Sequence, residues 1–322
     1  MPEFDLPLEE LRSYRPSIAE PADFDAFWAG TLRASPPGEA EFVPVDSGLT
    51  AIDTLDVTYP GFGGQPVRGW LHLPAGRDAA LPCVVEFVGY GGGRGLAHER
   101  NMWALAGYAH FVMDTRGQGS GWSVGHTPDL DAGQPAAAGV MTRGISSAEG
   151  YYYRRVFVDA VRAIDAARSH PAVDPAAVSV AGVSQGGGIS LAAAALSDGL
   201  VAALPDVPFL CHFRRAVSVT DDDPYGELVR YLHTHRDRVE QAFSVLGYFD
   251  GVSMAARASA PALFSVGLRD SICPPSTVFA AYNAYGGPKQ IEIYEFNEHE
   301  GGGPFHQRAQ MAFLAEISRP GS

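Results

Sequence analysis

Three residues of this chain could together activate a hydroxyl for attack on an acyl carbon. Ser184 lies in Gly182-Val183-Ser184-Gln185-Gly186, a G-x-S-x-G match at the end of the apolar run VSVAGV (178–183). Asp270 comes just after the run ALFSVG (262–267), and His299 just after QIEIYEF (290–296). A serine hydroxyl is a poor nucleophile at neutral pH and needs a base within hydrogen-bond reach. Imidazole suits that task because its ordinary pKa is about 6.5. A carboxylate then orients the ring, fixes its tautomer and stabilises the imidazolium. The pentapeptide alone arises easily by chance in a chain with 37 glycines. A serine, an acid and a histidine in that chain order, each closing an apolar run, form a much more specific signal.

Rival residues exist for each role. Asp221, Asp222 and Asp223 follow RAVSVT (215–220), which also reads as a strand, but one strand early for the commonest arrangement. His306 lies seven residues beyond His299, inside the helical pattern GPFHQRAQMAFLAEI. Cys273 is near Asp270, yet CPP reads as a helix start over a buried thiol. Acyl transfer also needs two N–H donors for the developing oxyanion. One is expected from the backbone of Gln185, after the nucleophile. The other is expected from the glycine-rich loop VEFVGYGGGRG (85–95), at Tyr90 or Gly91.

These residues need a scaffold that presents strand ends side by side. Runs at 55–59 and 67–73, with Gly-Gly between them, predict an antiparallel start. Continuous apolar runs at 83–89, 110–114, 178–183, 215–220, 262–267 and 290–296 predict buried strands. Helical patterns lie near 98–107, 150–169, 186–197, 225–245 and 274–285, and residues 21–32 space Phe24, Phe27, Trp28 and Leu32 on one helix face. The expectation is one α/β domain over 1–322 with a mostly parallel sheet covered by helices on both faces, of the α/β-hydrolase type. An N-terminal extension covers about 1–50. Two stretches, 116–149 and 221–257, are too long for short crossovers and are expected at the edge where such sheets bind ligands.

Composition narrows the partners. The chain has 322 residues and a formal net charge of −14, which disfavours nucleic acid and anionic membranes. No apolar run is long enough to span a bilayer. The acidic start MPEFDLPLEELRSY lacks an apolar export core, and three cysteines offer no pairing framework, so the expected location is the cytoplasm. The run GYGGGR (89–94) misses G-x-G-x-x-G, no phosphate loop is present, and HEGGGPFH has the wrong spacing for H-E-x-x-H. No metal and no organic cofactor are expected.

Several strings together resemble the acetyl xylan esterase / cephalosporin C deacetylase family of carbohydrate esterases. They are MDTRGQGSGW (113–122), GVSQGG (182–187), LCHFRRAV (210–217), GLRDSICPPSTVFAAYN (267–283) and NEHEGGG (297–303). The resemblance runs over nearly the whole chain, although Gly91 stands where members often carry a polar residue. It implies a nucleophile at Ser184, an acid at Asp270 and a base at His299. It also implies oxyanion donors at the N–H groups of Tyr90 and Gln185, and a small acyl pocket bordered by Tyr90, Pro224 and Ile272. By the same resemblance, Arg116-Gly117-Gln118 supports the site structurally. The implied activity is release of acetate from xylo-oligosaccharides and cephalosporins, with perhydrolysis alongside, in a cytoplasmic homo-oligomer, a hexamer. Two other readings stay open on the residues alone: a serine hydrolase of longer acyl esters or peptides, and a non-catalytic ligand-binding scaffold of the same fold.

Overall fold

The computed structural model describes residues 4–130 and 139–317. Its strands are β1 (Glu41–Val45), β2 (Ile52–Pro60), β3 (Pro66–Pro74), β4 (Leu81–Phe87), β5 (Ala109–Met113), β6 (Val173–Val183), β7 (Leu200–Asp206), β8 (Ala262–Gly267) and β9 (Lys289–Tyr294). They form one sheet in the order β1-β2-β3-β5-β4-β6-β7-β8-β9. The first pairings, through β3–β5, are antiparallel, and every pairing from β5–β4 to β8–β9 is parallel. This is the α/β-hydrolase fold, with the expected antiparallel start.

The helices are α1 (Leu8–Ser13), α2 (Phe24–Ala34), α3 (Met102–Leu105), α4 (Tyr152–Ser169), α5 (Gln185–Leu196) and α6 (Phe213–Val219). They continue as α7 (Tyr225–Thr234), α8 (Val239–Leu246), α9 (Gly251–Ala255), α10 (Pro275–Ala284) and α11 (Gly303–Ile317). Alternation along the central strands divides the core. In β4, Val85 joins a large cluster beneath α4, α5 and α10, whereas Val84 joins Trp103 of α3 and Phe313 and Leu314 of α11 on the other face. Such two-sided burial explains why the central strands read as continuous apolar runs. Among the described residues, no helix is long and apolar enough to cross a membrane.

One expected strand is corrected. RAVSVT is not a strand: residues 213–219 form α6, and the strand in that place is LVAALPD (200–206). Two effects misled the pattern. Alternating valines in RAVSV imitate period two, whereas Phe213 and Ala216 are buried at helical spacing. The Asp250 carboxylate accepts N–H bonds from His212 (2.8 Å) and Phe213 (3.2 Å), which satisfies the orphan donors of the helix start. The true strand, LVAALPD, falls in no element that the sequence predicts, since two of its seven residues are alanine and it lacks a long β-branched run. Asp221–Asp223 therefore follow a helix, and the excursion from the sheet spans 207–261 rather than 221–257. The first excursion, 116–149, falls partly outside the described residues. Its described portions pack on the glycine loop, with Gly93 N–H donating to Ser123 O (3.0 Å) and Gly95 N–H to Val124 O (2.8 Å).

Candidate active site

Ser184 stands between β6 and α5 with φ 59° and ψ −117°. A left-handed backbone is strained for a residue with a side chain, and it lifts Ser184 out of the line of the strand. The turn closes only because its neighbours lack side chains. A Cβ on Gly182 would lie 2.3 Å from the carbonyl carbon of Gly186, and one on Gly186 would lie 2.1 Å from Phe87 O. The backbone is also pinned, with Ser184 N–H donating to Asp206 O (2.9 Å) and Ser184 O accepting from Phe209 N–H (2.9 Å).

Asp270 and His299 are brought together from the ends of β8 and β9. His299 Nδ1 lies 2.9 Å from Asp270 Oδ2. Asp270 is fully buried, and its other oxygen accepts N–H bonds from Ile272 (2.8 Å) and Cys273 (2.9 Å). Those bonds hold the carboxylate plane still. The His299 ring is 27% exposed, so its far edge can meet a ligand. Pro274 and Pro275 begin α10, and the Cys273 thiol beneath them is fully buried. Burial pushes that thiol well above the usual range, while a hydrogen bond with Ser184 opposes the shift. Cys273 is therefore a neutral thiol beside the serine. Asp270, Cys273 and His299 place ligand-type atoms within 4.8 Å of one another, but a neutral thiol and a carboxylate already accepting three bonds make a poor cation site.

The rival acids and histidine make other contacts, although Asp223 lines the same cavity as Ser184 and His299. His306 is buried in α11, with Nε2 2.6 Å from Asp206 Oδ1 and Nδ1 3.2 Å from the Tyr294 hydroxyl. Asp222 accepts from the Ser271 hydroxyl, and Asp223 pairs with Arg230 at 2.7 Å.

The glycine loop carries the remaining geometry. Gly91 adopts φ 77°, which explains why glycine stands there. Its N–H donates to Gln118 Oε1 at 2.6 Å, so of the two loop donors the sequence left open, Gly91 is already engaged. The Tyr90 carbonyl accepts from Trp122 Nε1 (2.8 Å). The Tyr90 hydroxyl donates to Glu227 Oε1 (2.7 Å) and accepts from Val140 N–H (2.8 Å), tying the loop to both excursions. Burial and then the Glu227 carboxylate raise the Tyr90 phenol above its ordinary pKa, so it stays neutral.

A second set of side chains was not legible as part of the site. Gln185 is fully buried; its Nε2 donates to Val88 O (3.0 Å) and its Oε1 accepts from Gln118 Nε2 (2.8 Å) and the Tyr153 hydroxyl (2.9 Å). Gln118 thus joins Gly91 to the turn that carries Ser184. Arg116 holds the same segment through a two-point pair with the buried Asp159 (2.5 and 2.7 Å). The structural role implied for Arg116-Gly117-Gln118 has this physical content.

Ser184, His299, Tyr90, Pro224 and Ile272 all line one cavity of about 810 Å³. Glu86, Arg100 and Trp122 line it as well, together with Glu227 and Arg230.

The model of the acetyl xylan esterase family (AXE1) matches residues 1–317. The chain belongs to that family. Similar solved structures include the acetyl xylan esterase from Paenibacillus sp. R4, which is 40% identical with a TM-score of 0.89 over 97% of this chain and 99% of that one. Acetyl xylan esterase 1 from Thermoanaerobacterium sp. JW/SL YS485 is 31% identical, with a TM-score of 0.86 over 98% of this chain and 100% of that one. Acetyl esterase Axe7A of Xylanibacter ruminicola is 27% identical over 305 residues, which cover 88% of this chain. The match spans 65% of that relative's own length. The R-G-Q and G-x-S-Q-G strings of this chain meet in space through Gln118 and Gln185. A signal for that meeting was present in the sequence, since both strings carry glutamine beside glycine, but its geometry was not.

Proposed function

We propose that this protein is a serine esterase that releases acetate from small O-acetylated molecules, acetylated xylo-oligosaccharides and cephalosporin C among them. The observation that carries the reading is the Asp270–His299 contact at 2.9 Å on the same cavity as a strained, glycine-flanked Ser184. Ser184 is the nucleophile, His299 the base and Asp270 the orienting acid. The Ser184 oxygen attacks the acetyl carbon while His299 takes its proton. The N–H groups of Tyr90 and Gln185 hold the oxyanion. Gln185 is the first residue of α5, so its N–H has no partner within the helix and sits at the positive end of the helix dipole. Collapse of the adduct expels the alcohol, protonated by His299. Water then attacks the acetyl-enzyme with His299 again as base, giving acetate and free Ser184.

Tyr90, Pro224 and Ile272 border the acyl side and restrict it to short chains. Each step uses protein groups and water alone, so the reaction calls for no metal or organic cofactor. Hydrogen peroxide in place of water would give peracetic acid from the same intermediate. We place the protein in the cytoplasm as a homo-oligomer, a hexamer, which light scattering on the purified protein checks. The test of the chemistry is turnover of p-nitrophenyl acetate by wild type and Ser184→Ala. Ser184→Ala should lose on the order of 10⁵-fold in kcat; equal rates would remove Ser184 as the nucleophile.

A further inference from the structure

Every polar group of Tyr90 but one is held by the protein. Its carbonyl accepts from Trp122 Nε1–H (2.8 Å), and the next N–H in the chain, that of Gly91, donates to Gln118 Oε1 (2.6 Å). Its hydroxyl is bound as well, and among the described residues only its N–H has no partner. That N–H is the oxyanion donor assigned above, so its direction matters. Trp122 and Gln118 hold a single peptide plane, the one between Tyr90 and Gly91. Trp122 is itself fixed, since its ring lies against Gly92, where a Cβ would come within 2.4 Å of the indole. Two anchors in one plane still permit rotation about the Tyr90 Cα–C bond, and that rotation swings the Tyr90 N–H. A third anchor, off the plane, stops it.

The third anchor is the phenol. Its hydroxyl donates to Glu227 Oε1 (2.7 Å) and accepts from Val140 N–H (2.8 Å) and Gly139 N–H (3.1 Å). Glu227 Oε2 accepts from Met141 N–H (3.1 Å), so both carboxylate oxygens are engaged. An anionic acceptor makes these bonds stronger than a neutral one would. The carboxylate is also rigidly mounted. Its neighbours in α7, Tyr225 and Leu228, are fully buried. The Tyr225 hydroxyl donates to Cys211 O (3.1 Å) and accepts from Cys211 N–H (3.2 Å). Two residues before Cys211, the Phe209 N–H holds Ser184 O, so α7 is tied to the turn that carries Ser184.

We propose that Glu227 is a positioning residue: by holding the Tyr90 phenol, it aims the Tyr90 N–H at the oxyanion. The proposal rests on the esterase reading above. Glu227 lines the cavity, but its effect reaches the reaction through Tyr90.

The test measures p-nitrophenyl acetate turnover per active site, counted by fluorophosphonate labelling carried to completion. Glu227→Ala should lower kcat about thirtyfold with KM within about twofold of wild type, a fraction of the roughly 10²- to 10³-fold that a whole oxyanion donor carries. Glu227→Gln keeps one acceptor and should recover to within about fivefold of wild type. Tyr90→Phe keeps the N–H but loses the phenol anchor, so it should match Glu227→Ala within about threefold, and the double variant should fall no further than either single change. Trifluoroacetone reads the oxyanion directly. The Ser184 oxygen bonds to its carbonyl carbon, the hydroxyl proton passes to His299, and the carbonyl oxygen becomes the oxyanion. Its inhibition constant should rise in Glu227→Ala by the factor that kcat/KM falls. A rise in KM alone, additive losses in the double variant or an unchanged inhibition constant overturns the proposal. If Glu227→Ala does not fold, Glu227→Gln takes its place in the double variant, with the same outcomes. Amide hydrogen exchange is followed on the same proteins. Gly91 to Gly93 should exchange about tenfold faster in Glu227→Ala while α5 stays protected; unchanged exchange also overturns the proposal. If wild type turns over no acetyl ester, the esterase reading fails, and the exchange measurement decides by itself whether Glu227 sets the loop.

Discussion

The molecule holds two Asp–His pairs at the ends of neighbouring strands, and they differ in what surrounds them. Asp270 and His299 follow β8 and β9, with the histidine ring 27% exposed to the cavity. Asp206 ends β7 and meets His306 of α11, with that ring 1% exposed. The contact distances are similar, 2.9 and 2.6 Å. The second pair is sealed by Tyr294 on one side and by Gln310, whose Nε2 donates to both Asp206 oxygens (3.1 and 3.0 Å). A carboxylate beside an imidazole is therefore insufficient to make a base. The imidazole also needs an open edge at the place where a reacting hydroxyl stands. The first pair has an open edge on the cavity that Ser184 also lines, and the second clamps α11 to the sheet.

The contrast is broken most directly at the acid. Asp270→Asn should lower kcat for p-nitrophenyl acetate on the order of 10⁴-fold, because an amide stabilises the wrong ring tautomer. Steady-state rates across pH check this; a loss under tenfold would move Asp270 from the reaction to the scaffold. A smaller effect is expected from the buried amides that join the glycine loop to the Ser184 turn. Gln118→Ala frees Gly91 N–H and leaves Gln185 Oε1 without one of its donors. We expect kcat to fall about 10²-fold with KM nearly constant, as for an oxyanion site out of register. A rise in KM alone would place Gln118 in substrate binding instead.

The smallest effect concerns dry histidines as a class. His72 is fully buried, and burial first, then the neighbouring His110, depresses its pKa from 6.5 to about 3. The folded state therefore takes up this proton later than the unfolded chain. Stability from His72 is complete above pH 6.5 and drains away as the pH falls towards 3, at up to about 1.4 kcal/mol per unit. Urea unfolding of wild type and His72→Gln from pH 7 to 4 checks the sign; the wild-type slope should be the steeper. Parallel curves would refute it.

Much of this site was legible because chemistry and topology constrain the same positions. Ser184, Asp270 and His299 could be named from order and strand ends, and the Gly182 and Gly186 requirement followed from the turn. The misreading at 213–219 shows the limit: alternating valines carried a strand pattern, while the residues that made the segment helical include Asp250, more than thirty positions away. Gln185 shows the same limit on the site itself. Its backbone place directly after Ser184 was clear, but the three partners of its side chain come from segments distant in the chain. Trp122 stood within a recognised string, yet nothing local revealed that it would lie on Gly92 and face the cavity.

The most direct test of the central claim compares the two histidines. A fluorophosphonate that modifies an activated serine is applied to wild type, His299→Ala and His306→Gln, with thermal unfolding measured on each. His299→Ala should slow labelling of Ser184 on the order of 10³- to 10⁴-fold. His306→Gln should label within about tenfold of wild type while melting earlier, because it removes the imidazole that lies 2.6 Å from the buried Asp206 carboxylate. Slow labelling in His306→Gln beside wild-type labelling in His299→Ala would contradict the account.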